Sequence, residues 1–75
     1  MNTSPKIDMA GTGRLINQLR IDAGMSVRDI QTILGLGSTQ AIYKWLAGKG
    51  LPSIDNLVVL SSVLNVSLDD LIVRS

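Results

Sequence analysis

Four residues that tolerate a left-handed backbone, Gly24, Gly35, Gly48 and Asn65, divide the chain at intervals of about one helix. Each is followed within a few residues by a serine: Ser26, Ser38, Ser53 and Ser67. A left-handed residue closes the last turn of a helix, and a serine hydroxyl satisfies free amides at the start of the next. The alternation predicts five helices: Thr12 to Ala23, Val27 to Leu34, Thr39 to Ala47, one from Ser53 to Leu64, and one from Ser67 to about Val73. Ser26 and Asp29 have the spacing of a reciprocal capping box. Asp55, Asp69 and Asp70 fall in first turns, where the helix dipole favours negative charge.

Apolar periodicity agrees with these boundaries. Ile16, Leu19 and Ala23 share one face of the first helix, and Val27, Ile30 and Leu34 one face of the second. The fourth offers Ile54, Leu57, Leu60 and Leu64, and the fifth Leu68, Leu71 and Ile72. No useful stretch alternates with period two. The expected fold is therefore all-α, five short helices around one core, with loops short enough to pack consecutive helices together. Residues 1–10, polar and containing Pro5, are expected to be a flexible N-terminal segment, and 11–75 to be the single domain.

Composition narrows the function. The 75 residues include no Cys and no His, and all six acids are Asp. Disulfides, thiolate metal sites and histidine general bases are thus absent from the chemistry this chain can run. Gly11-Thr12-Gly13 is only a fragment of a phosphate loop and reads as a flexible start to the first helix. No enzyme activity, cofactor, metal or small-molecule substrate is expected. No signal peptide or membrane span is evident, so the expected location is the cytoplasm, on the nucleoid.

Net charge is only +1, but it is unevenly spread. Residues 11–50 carry Arg14, Arg20, Arg28, Lys44 and Lys49 against Asp22 and Asp29, a net +3. Residues 51–75 carry Arg74 against Asp55, Asp69 and Asp70, a net −2. The first half can face a polyanion while the second faces water or a partner.

The third helix has two chemically different faces. Ile42, Trp45 and Leu46 fall together and point inward. Gln40, Tyr43, Lys44 and Ala47 fall at i, i+3, i+4 and i+7 on the other side, flanked by Thr39. An amide, a phenol, a hydroxyl and an ammonium suit base edges and phosphates in a major groove. The second and third helices, joined by Gly35-Leu36-Gly37, form a helix-turn-helix unit.

From residue 13 to 73 the chain resembles the phage lambda repressor/Cro-like regulators, the XRE family. The resemblance is carried by Leu19-Arg20, Gly24-Met25-Ser26, Gly35, Ser38 to Lys49, Leu51-Pro52-Ser53, and the run from Leu64 through Asn65-Val66-Ser67-Leu68-Asp69-Asp70 to Leu71. It implies a sequence-specific regulator of transcription, a repressor rather than an activator, that reads double-stranded DNA with helix 38–47. Thr39, Gln40, Tyr43 and Lys44 match positions that meet bases. Ser38, Lys49 and Arg28 match positions that meet phosphates.

The chain also departs from the family pattern. Val27 replaces a phosphate-binding glutamine. Leu46 replaces a glutamate that pairs with an arginine such as Arg20, which must then find another partner or extend to solvent. Ala47 replaces an asparagine that touches DNA. The turn after the second helix is one residue longer, the extra residue being Gly37, and Gln31 replaces the small residue at the close helix approach. A longer turn lets the third helix stand further off, so the last two changes are expected to compensate.

Partners beyond DNA stay open. Val59, Val63 and Val73 offer apolar surface on the acidic half, suited to a homodimer on a palindromic site or to a protein-interaction module with this fold. Steep salt dependence marks the DNA reader, and salt-insensitive protein binding marks the module.

Overall fold

A computed structural model of the chain describes residues 6–75. Four α-helices, α1 (Met9–Asp22), α2 (Val27–Leu34), α3 (Gln40–Leu46) and α4 (Ile54–Val63), precede a single 3-10 turn at Asp69–Leu71. The described residues hold no strand, only an isolated antiparallel bridge between Ile7 and Arg74.

Local chemistry explains the helix ends. Gly24, Gly35 and Gly48 have φ of 70°, 67° and 73°, and Asn65 has 57°, so every expected stop is left-handed. The capping box is complete: the Asp29 N–H donates to Ser26 Oγ at 3.0 Å, and the Ser26 N–H donates to the Asp29 carboxylate at 2.8 Å. Ser53 caps α4 by accepting from the Asn56 N–H at 3.2 Å.

Two boundaries differ from expectation by more than a residue or two. The first helix begins at Met9, one turn before Thr12, with Asp8 as its cap accepting from the Gly11 N–H at 2.9 Å. Of the segment 1–10 expected to be flexible, residues 1–5 lie outside the described residues. Ile7 sits in the bridge, while Met9 and Ala10 are helical. Glycines at 11 and 13 are poor helix formers, which hides this first turn from a propensity argument.

The second difference is a correction: there are four helices and not five. The expected fifth is one 3-10 turn, with Ser67 Oγ accepting from the Asp70 N–H at 3.2 Å. Ile72 is already extended at φ −115° and ψ 127°. From there the chain pairs with the N-terminal segment. The Asp8 N–H donates to the Val73 carbonyl at 2.8 Å, and the Ser75 N–H donates to the Lys6 carbonyl at 2.7 Å. A helix of one or two turns is marginal by itself. β-Branched Ile72 and Val73 favour the extended form, and the bonds to the other terminus settle the competition.

The core is Ile16, Ile30, Ile42, Trp45, Leu57, Leu60, Leu64 and Leu71, with Leu19, Val27, Leu34 and Leu46 packed around it. Ile54 and Leu68, expected inside, are exposed, and Ile54 is 74% accessible. As the first residue of α4, Ile54 lies at the rim of the core, where it lines an apolar cleft of about 140 Å³ with Ile7, Leu51, Pro52 and Ile72. Ala23, also expected on the inner face, is exposed.

Gly11, Thr12 and Gly13 are all buried, so the triplet is not a loose helix start but the contact face of α1. A Cβ on Gly13 would collide with the Trp45 carbonyl oxygen and lie 3.0 Å from that of Leu46. A Cβ on Gly48 would come within 2.7 Å of the Ala10 Cα. Backbone thus meets backbone where α1 crosses α3. Next to this crossing, the Val73 N–H donates to the Thr12 hydroxyl oxygen at 3.0 Å.

Gly13→Ala tests the crossing by its sign. In an open helix the change stabilises by about 1 kcal/mol, whereas overpacking against a fixed backbone costs about 1–3 kcal/mol. We expect a lower melting temperature by circular dichroism. A rise would show that α1 and α3 do not touch there.

Candidate nucleic-acid interface

The orientation of α3 follows from its buried side. Ile42 and Trp45 sit in the core and Ala41 and Leu46 pack against it, so the remaining positions turn outward. Gln40, Tyr43, Lys44 and Ala47 are exposed, Tyr43 to 57%, and Thr39 is half-buried beside them. The structure therefore gathers Thr39, Gln40, Tyr43 and Lys44 on one accessible surface.

The start of α3 differs by one residue from expectation. Thr39 occupies the cap position with helical φ −88° and ψ −4° and makes no side-chain cap bond. Ser38 stands one residue earlier and accepts from the Gln40 N–H at a long 3.4 Å. Helix termini commonly shift by a residue when the preceding residue is already helical. Ser38 stays exposed.

Lys49 lies just past α3, after Ala47 and Gly48. The Gly48 N–H donates to the Trp45 carbonyl at 3.0 Å and the Lys49 N–H to the Lys44 carbonyl at 2.9 Å, a glycine-closed helix end. This brings the Lys49 backbone to the last turn of α3, with its side chain exposed. Arg28 is exposed on α2, one residue beyond Val27, which packs against the core. Among the described residues the single ion pair is Arg74 with Asp69, at 2.6 Å. Arg28, Lys44 and Lys49 are thus not neutralised by carboxylates within those residues.

Arg20 has found other partners than a glutamate. It donates to Asn17 Oδ1 at 2.7 and 3.1 Å and to the Met25 carbonyl at 2.8 Å, tying the end of α1 to the turn before α2. Gln31 also has a role that the sequence did not disclose, since its Nε2 donates to the Leu36 carbonyl at 3.2 Å. Val59 is exposed on α4, Val63 is half-buried, and half-buried Val73 has both backbone groups bonded at the start of α1.

Among the described residues no group of three or more acids could hold a metal ion, and no helix is long and apolar enough to cross a membrane.

A family model described as helix-turn-helix matches residues 16–71. The chain belongs to the lambda-repressor-like (XRE) helix-turn-helix family. That family consists of DNA-binding regulators of transcription, not enzymes. Similar solved structures include the restriction-modification controller protein C.AhdI from Aeromonas hydrophila. It is 22% identical with a TM-score of 0.74, covering 85% of this chain and 96% of that one. The clp gene regulator ClgR from C. glutamicum is 18% identical with a TM-score of 0.72, covering 88% of this chain and 84% of its own. The DNA-binding domain of BldD is 15% identical with a TM-score of 0.71, covering 88% of this chain and 94% of its own. At these identities the likeness is one of fold. No curated protein matches the sequence.

In this helix-turn-helix protein the cap of α2 is pH-sensitive. The Ser26 N–H, and after it the Ser26 hydroxyl, hold the Asp29 carboxyl below its ordinary 3.8. An acid with a lowered pKa stabilises the fold above its unfolded value, and that stabilisation is lost as pH falls through the folded value. The neutral-pH advantage of the wild type over Asp29→Asn in melting temperature should therefore shrink as pH falls below 3.8. A difference constant from neutral to acid would show that the carboxylate does not cap α2.

Proposed function

We propose that this protein binds double-stranded DNA sequence-specifically and represses transcription on the nucleoid. It does so by laying the outer face of residues 38–47 in the major groove. The observation that carries the reading is the division of α3. Ile42 and Trp45 are locked in the core, while Gln40, Tyr43 and Lys44 stand exposed together. A helix held by its back and presenting hydrogen-bonding side chains on its front has the form of a recognition helix. Gln40 can bond an adenine in two places, and Lys44 can reach a guanine or a phosphate. Thr39 and Tyr43 flank them at base edges. Arg28 on α2, with Ser38 before α3 and Lys49 after it, takes the phosphates on this reading.

Two copies on a palindrome are the second part of the proposal. Ile54, Val58 and Val59 are exposed on α4, in the half of the chain whose net charge is acidic. That charge turns this face away from DNA and leaves it for a second subunit, with Val63 behind it. Val73, half-buried and tied to the start of α1, is the third apolar residue of the proposed contact.

The readout is tested on a duplex enriched from a random pool by the wild-type protein. Gln40→Ala should lose about 1–3 kcal/mol on that duplex and nearly nothing on random DNA. Lys49→Ala should weaken both alike and lower the salt slope by about one. Equal losses on both duplexes for Gln40→Ala would overturn the base-reading role.

The dimer is tested at Val59, because it is more exposed than Val63 and its substitution disturbs the core less. Val59→Asp should abolish cooperative occupancy of a palindrome in band-shift titrations while leaving the weaker intrinsic affinity for a single half-site unchanged. Unchanged cooperativity would place the contact elsewhere or show that single copies act alone.

A further inference from the structure

We infer that Gln31 is a positioning residue that sets where α3 stands, and through it how well the protein discriminates between DNA sequences. This inference rests on α3 being the DNA reader.

The turn from α2 to α3 is poorly fixed by its own residues. Gly35 and Gly37 flank Leu36, and a Cβ at either glycine would meet no atom within 4 Å, so packing does not hold them. Among the described residues, the stretch between Leu36 and the first residue of α3 has two further bonds, and both lead into α3 itself: the Tyr43 N–H donates to the Thr39 carbonyl at 3.1 Å, and the Gln40 N–H to Ser38 Oγ at a long 3.4 Å. A two-glycine turn held so lightly would leave the first residues of α3, which precede its anchors at Ile42 and Trp45, free to shift on their approach.

Gln31 supplies the missing constraint from one turn inside α2. Its backbone carbonyl accepts from the Leu36 N–H at 3.0 Å. Its side-chain Nε2 donates to the Leu36 carbonyl at 3.2 Å. One residue therefore grips both polar groups of Leu36, whose side chain is itself packed against the core. The carbonyl bond is the closing bond of a helix end and any residue would provide it. The second bond needs a donor at the end of a side chain of this length. It fixes the direction of the peptide leading into Gly37, and hence the place at which α3 begins. Because Gln31 is half-buried, the bond is partly shielded from competing water.

Gln31→Met keeps the length of the side chain and removes the donor. In free protein, amide hydrogen exchange at Gly37 to Gln40 should rise while α1 and the rest of α2 stay protected. The ratio of affinities for the selected duplex and for a random duplex should fall about tenfold, the lower part of what one bidentate base contact contributes. Affinity for random DNA and the salt slope should hold. Adding Gly37→Ala should restore part of the ratio, since Gly37 lies outside the left-handed region and has room for a Cβ. A methyl there stiffens the turn by another route. An unchanged ratio, a loss equal on both duplexes, or a loss that Gly37→Ala does not reverse would each overturn the inference. If the wild-type protein enriches no sequence, α3 is not the reader. The exchange measurement then decides alone whether Gln31 places α3, and unchanged protection at Gly37 to Gln40 would refute it.

Discussion

The close crossing of α1 over α3 is the contact on which the rest of the structure depends. A helix of seven residues has no stability of its own, because nucleation costs more than so few bonds return. What holds α3 is its back: Trp45 and Ile42 in the core, and the Trp45 and Leu46 carbonyls against the bare backbone of Gly13. Gly48 repeats the arrangement one turn later against Ala10, at a φ of 73° that other residues adopt only with strain. Two glycines, Gly13 on α1 and Gly48 just after α3, bring backbones together where side chains would hold them apart. On the proposed reading the outer face of α3 must match DNA and needs a support that does not yield, and packed backbone yields less than long side chains.

The same face of α1 also closes the ends of the chain. Thr12 is 1% accessible, and its hydroxyl accepts from Val73, 61 residues away in sequence. Leaving such a buried group unpaired costs about 1–3 kcal/mol, a large share of the stability of so small a domain. The extended tail from Ile72 onward is therefore a functional part of the fold: it satisfies the one buried polar side chain that α1 presents. Among the described residues no buried side-chain nitrogen or oxygen lacks a partner.

These two contacts also separate what was legible in the sequence from what was not. Helix stops and caps are written in the residues that perform them, so Gly24, Gly35, Gly48, Asn65 and the Ser26–Asp29 box could all be read locally. The inward positions of α2 and α3 followed from period alone. The early start of α1, the burial of Gly11-Thr12-Gly13 and the extended tail depend on partners far along the chain. Local propensity there points the wrong way: glycines argue against a helix at Met9, and Ser67 with two aspartates argues for one after Leu68. Ile54 was misplaced because period gives the direction of a residue but not whether another element covers it. The face of α3 was legible because Trp45 and Ile42 fix its phase. The Gln31 bond was not, since a glutamine in a helix carries no sign of where its amide will reach.

Charge sets how this protein can work on the proposed reading. Arg28 on α2, Lys44 on α3 and Lys49 just after it are three exposed cations, and the whole chain carries only +1. Three phosphate contacts correspond to a loss of about forty-fold in affinity between 50 and 200 mM salt, a small electrostatic contribution for a DNA reader. A single copy would then hold random DNA weakly at physiological salt, and most of its binding free energy would have to come from base contacts. Weak non-specific attachment raises the ratio of specific to non-specific occupancy. It also makes one half-site too weak a target alone, since a handful of base contacts at about 1–3 kcal/mol each falls short of typical operator affinities. Two copies joined through α4 would double both contributions without adding charge to either copy. The exposed apolar residues of α4 and the low charge of the α3 face thus support one arrangement: sparse electrostatics on each copy, precise placement of α3, and pairing to reach useful affinity.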